Sequence, residues 1–100
     1  MKKEIFEKYL ESVIKQMGVP REDLLSRTKK AHVVDARHIL FYLCSIRPMK
    51  PSYIQHYMTE AGLKTSLSTV MHAIKRIEIL VDPQSSSYDK DYEALISNLL

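Results

Sequence analysis

Apolar residues recur at intervals of three and four along most of this chain. Ile5, Phe6, Tyr9, Leu10, Val13, Ile14 and Met17 form the first series, which is the repeat of an amphipathic helix. Lys and Glu alternate on its other side, as on a solvated face. Gly18 and Pro20 end it, so the spacing predicts a helix over 2–17. Pro20 to Leu25 reads as a short helical turn that anchors Leu24 and Leu25. Ser26-Arg27-Thr28-Lys29-Lys30 interrupts the apolar pattern and predicts a basic loop over 26–32. Val33, Val34, Ala36, Ile39, Leu40, Leu43 and Cys44 then resume it as far as Pro48. That series is apolar on more than one side, as a central helix is.

Pro51 and Ser52 open a shorter helix that carries Tyr53, Ile54, Tyr57 and Met58, with both tyrosines expected in the core. Gly62, after Ala61, supplies a left-handed turn. The next helix runs from about Ser66 to Leu80. Leu67, Val70, Met71, Ile74 and Ile77 fall on the side expected to be buried. Thr65, Ser68, Thr69, His72, Lys75 and Arg76 share the other side. One core face and one short-polar, basic face suit the second helix of a helix-turn-helix, here spanning about 51–80. Pro83 and Ser85-Ser86-Ser87 mark a turn, and Tyr92, Leu95, Ile96 and Leu99 predict a closing helix over 88–100. There is no internal repeat, and Ile79-Leu80-Val81 is too short to be a strand. The expected fold is all-α: one domain over 1–100, a small bundle of five to six helices.

Charge sharpens this picture. The net charge is only +3. Yet residues 21–76 hold ten Lys/Arg against four Asp/Glu, and residues 77–100 hold one against five. A basic centre around the proposed reading helix and an acidic end suit a face that binds a polyanion. Composition removes other classes. No apolar run is long enough to cross a membrane. No apolar core follows the first lysines as in an export signal, so a cytoplasmic chain is expected. Cys44 stands alone in an apolar run and reads as a core filler. His32, His38, His56, His72 and Cys44 lack the spacing of metal ligands. No catalytic constellation stands out. Neither metal nor cofactor is expected, and the chain does not read as an enzyme.

Four stretches in order then resemble one family. They are Val19-Pro20-Arg21-Glu22-Asp23-Leu24-Leu25-Ser26-Arg27, Ala36-Arg37-His38-Ile39-Leu40-Phe41-Tyr42-Leu43, Ser68-Thr69-Val70-Met71-His72-Ala73 with Ile77-Glu78, and Asp89 with Tyr92, Leu95 and Ile96. Together they are similar to the C-terminal DNA-binding domain of the bacterial replication initiator DnaA, a Trp-repressor-like helix-turn-helix. The resemblance covers residues 5–100. It implies double-stranded DNA as partner, and a role in replication initiation or transcriptional regulation. The setting it implies is the bacterial nucleoid or a phage-infected cell, with a protein partner in those processes also open. The chain departs from the family where Arg-Asp-His precedes the signature helix; Thr65-Ser66-Leu67 stand there instead. The turn before that helix is also longer, around Thr59–Lys64. The family's nucleotide-hydrolysing domain is not expected in 100 residues without a phosphate-cradling glycine loop.

The resemblance assigns Lys29 to a minor-groove position in the basic loop, with Lys30 beside it, and Arg37 and His38 to positions facing the DNA backbone. Arg37 lies on a largely apolar helix and needs a partner: Asp35, Glu22 or a phosphate. Ser52 either holds a phosphate or caps its helix. Ser66, Ser68 and Thr69 can bond phosphates or base edges, and also make a good helix start. Thr65 leads into them. Leu67 is open between a thymine methyl and turn packing. His72 is expected to pack and form a hydrogen bond. Lys75 and Arg76 are expected to reach the phosphate backbone, and Lys64 partly to replace the lost arginine. The competing reading is a helical protein–protein adaptor that kept the fold and lost sequence-specific DNA binding.

Overall fold

The computed structural model describes all 100 residues, and every regular element is helical. In chain order these are α1 (Lys2–Met17), α2 (Arg21–Leu24), α3 (Ala31–Ser45), α4 (Pro51–Ala61), α5 (Leu67–Val81) and α6 (Lys90–Leu99). Glycine and proline punctuate them. Gly18 ends α1 at φ 63°, in the left-handed region where a side chain is disfavoured. Pro20 precedes α2, and Pro51 opens α4 at the position where a missing N–H costs nothing.

α3 is the hub, packing against each of the other five helices. Val33, Ala36, Ile39, Leu40, Phe41, Leu43 and Cys44 are buried along it, which spreads apolar contact around the helix. The rest of the core comes from one face of each neighbour, including Phe6, Leu10 and Val13 of α1, Ile54 and Met58 of α4, and Val70, Ala73 and Ile77 of α5. The buried set contains no polar or charged residue. Burial pushes the Cys44 thiol up to about 12, so it stays protonated and unreactive.

Three expectations about packing are corrected. Tyr57 packs half-buried against Phe6, with ring centres 5.7 Å apart. Tyr53, one turn earlier, is exposed and carries Lys2 over its ring. On α5, Val70, Ala73 and Ile77 fix the inward direction, which leaves Leu67 and Met71 in solvent. His72 is exposed too and has no hydrogen-bond partner, so it does not pack. No helix is long and apolar enough to cross a membrane.

Candidate nucleic-acid interface

The connection from α4 to α5 is built from backbone bonds. Gly62 N–H donates to the Met58 and Thr59 carbonyls, and Leu63 N–H donates to Met58 O at 3.0 Å. This is the paired closure that a glycine with positive φ permits, here at φ 121°. Leu63 and Met58 are both buried beneath it. Gln55 Nε2 donates to Thr65 O at 3.0 Å and ties α4 to the far side of the turn. Ser66 then caps α5: its Oγ accepts from Thr69 N–H at 3.1 Å and lies 2.8 Å from Thr69 Oγ1. The start of α5 is therefore held from both sides.

The basic loop is equally fixed. Ser26 Oγ donates to Asp23 O and accepts from Thr28 N–H, and Thr28 Oγ1 accepts from Lys30 N–H. Arg37 reaches across from α3. Its Nε donates to Leu24 O at 3.0 Å and its Nη2 to Ser26 O at 2.9 Å. Of the partners considered, neither Asp35 nor Glu22 pairs with it; two backbone carbonyls hold the guanidinium. Burial lowers the Arg37 pKa. Its charge remains, because an arginine starts so far above neutral pH.

Between this loop and the start of α5 lies an open groove of about 480 Å³. It is lined by Ser26, Arg27, Thr28, Lys29, Val34, Arg37, Leu63, Lys64, Thr65, Ser66 and Thr69. Four of these are cations and none is an acid. Arg27, Lys29 and Lys64 make no ion pair, whereas Lys3, Arg21 and Arg76 do. Positive charge with hydroxyl and amide donors, and no carboxylate, is the chemistry of an anion site.

Of the residues singled out in the sequence, the groove gathers Lys29, Arg37, Lys64, Thr65, Ser66 and Thr69. Lys30 lies exposed next in the loop, as the residue preceding α3. Ser68 and Lys75 are exposed on the outer face of α5, beside Met71 and His72. Ser52 is exposed in the first turn of α4 and away from the groove; the capping position falls to Lys50, whose side chain makes no capping bond. Arg27 and Thr28 belong to the groove and were not singled out. Their signal was the basic loop itself, read as a segment rather than residue by residue.

Arg76 and His38 are corrections. Arg76 turns inward, where Nη2 donates to Asp35 Oδ1 at 2.7 Å and Nη1 lies 3.0 Å from His38 Nδ1. Tyr92 Oη lies 3.4 Å from Arg76 Nη2 and donates to Asp35 Oδ2 at 2.6 Å. This cluster joins α3, α5 and α6. Burial works against the Arg76 charge, but the bonds to Asp35 and Tyr92 outweigh it and raise its pKa. An arginine can only donate, so Nδ1 of His38 is the bare acceptor nitrogen. Burial and the neighbouring Arg76 push the His38 pKa down to about 4, so its ring is neutral at pH 7. Both side chains are therefore engaged by partners within the fold.

No cluster of three or more His, Cys, Asp or Glu capable of holding a metal is present. No curated protein and no solved structure matches the chain. A family model does: it covers residues 6–77, which runs from the first turn of α1 through most of α5 and contains the whole groove. The chain belongs to the bacterial DnaA-protein helix-turn-helix family, a family of DNA-binding domains.

Proposed function

We propose that this chain binds double-stranded DNA with the N-terminal half of α5 in the major groove. The basic loop and the groove beside it sit against the phosphate backbone. The observation that carries this reading is the four-cation, acid-free groove at the start of a capped helix. Phosphates gain affinity from Arg27, Lys29 and Lys64, and the first amides of α5 add their partial positive charge. Ser68 and Lys75, on the outward face, are placed to meet base edges and backbone. The acidic residues after residue 77 begin in the last turn of α5, beyond the half that docks, and help orient the encounter.

The biological setting that fits is replication initiation or transcriptional regulation in the bacterial cytoplasm. Residues 1–100 have only two glycines, Gly18 and Gly62, and both end helices. This domain would therefore act by binding, without hydrolysing a nucleotide itself. A titration of labelled mixed-sequence duplex at rising salt tests the reading. Engaging four to six phosphates predicts a slope of log affinity on log salt of about −4 to −5. Binding that ignores salt, or no binding to any duplex, would overturn it.

A further inference from the structure

The outward side of α5's first two turns has an unusual make-up for a surface that reads DNA. Leu67 is 40% exposed and Met71, one turn later, is 54% exposed. They stand four apart, so their side chains share one stripe. Ser68 and His72 lie beside them, also exposed. No Arg, Lys, Asn or Gln occurs among these residues. The paired hydrogen bonds that distinguish guanine or adenine in the major groove therefore have no donor–acceptor fork here. Beside the single hydroxyl of Ser68 and the ring of His72, what remains is apolar surface. In the major groove, the apolar feature of a base edge is the methyl on C5 of thymine. The charge around the stripe favours nucleic acid over an apolar protein partner. Lys75 follows on the outward face without an acidic partner, and the acid-free groove adjoins the helix start. Glu78, two turns after Met71, confines close approach to the N-terminal half of the helix.

We propose that Leu67 and Met71 read the C5-methyl of thymine, so that this chain selects thymine-bearing sites by apolar contact rather than by hydrogen-bond pairing. The proposal rests on the docking of α5 described above. Leu67 is branched and stiff and fixes one contact; Met71 is unbranched and adapts to a second. A methyl on C5 of cytosine has the same chemistry, and the test separates the two sources.

The probes are duplexes recovered by selection from a random library, remade with deoxyuridine in place of each thymidine in turn, and separately with 5-methylcytosine for cytosine. Each contacted methyl should be worth about three- to five-fold in affinity. Uracil at one or two positions should therefore weaken the wild-type protein by that factor. L67A and M71A should bind more weakly and lose the sensitivity, one position each. Both side chains are exposed, so these variants should keep wild-type stability, checked by thermal melting. Equal wild-type affinity for thymine and uracil duplexes overturns the proposal while leaving DNA binding intact. Uracil sensitivity that persists in both variants also overturns it, because the methyl is then read elsewhere. A response to 5-methylcytosine alone overturns the assignment to thymine. Failure of every duplex to bind overturns the docking itself.

Discussion

Replacing Asp35 with alanine should destabilise this protein by unpairing the junction of three helices. Asp35 is the anion of the α3–α5–α6 junction. One oxygen accepts from Arg76 at 2.7 Å and the other from Tyr92 at 2.6 Å. D35A removes both bonds and leaves a guanidinium and a phenol facing each other near a neutral imidazole. A hydrogen bond to a charged group contributes about 1.5–3 kcal/mol when its loss strands the partner. Here the side chains retain 28% and 35% exposure, so water recovers part of the loss. The two bonds together then come to about 2–3 kcal/mol. For a domain of this size that lowers Tm by about 10–20 °C. Urea denaturation followed by far-UV circular dichroism measures the change directly, and a double-mutant cycle with R76M isolates the pair. The cycle should give a coupling of about 1–2 kcal/mol. A D35A variant within about 0.5 kcal/mol of wild type, or additive single effects, would refute the inward assignment of Arg76.

Three further outcomes follow from the same geometry. His38 is held neutral with a pKa of about 4, against 6.5 in the unfolded chain. Its contribution is complete above pH 6.5 and declines as pH falls toward 4, because only the unfolded chain takes up the proton there. Wild type should lose about 1–2 kcal/mol more than H38Q between those limits, and parallel stability–pH curves would contradict this. Gly62→Ala should cost about 1–2 kcal/mol through its φ of 121° alone, since no atom lies within 4 Å of the added carbon. A D-alanine placed there by chemical synthesis should be tolerated, and equal cost for both enantiomers would point to a clash instead. Arg37→Lys keeps the charge but loses the two-carbonyl grip on Leu24 and Ser26. Amide exchange of the 24–28 segment should accelerate while that of α5 does not; unchanged exchange in the loop would show that Arg37 does not hold it.

The helices were legible because local rules suffice for them. The three-and-four spacing of α1, the all-round apolar pattern of α3 and the glycine after α4 are set by near neighbours in sequence. The recognisable stretches also led to the family. What could not be read locally was the direction of side chains at the edges of each face. Leu67 and Met71 share a face by spacing, but only the packing of Val70, Ala73 and Ile77 decides which face looks inward. Arg76 sits on the boundary of its helix. Its partners are Asp35 and His38 on α3 and Tyr92 on α6, and no local pattern announces that meeting. Arg37 was seen to need a partner, yet backbone carbonyls carry no sequence signature. The groove has the same character: its halves lie on segments some 35 residues apart, brought together by the α3–α5 packing.

The most direct test of the interface is a map of amide chemical shifts as duplex DNA is added to labelled protein. Changes should concentrate in Ser26–Lys30, Lys64–His72 and Lys75, with α6 and the outer face of α1 unmoved. Shifts centred on α1 or α6, with the groove and the start of α5 silent, would contradict the account.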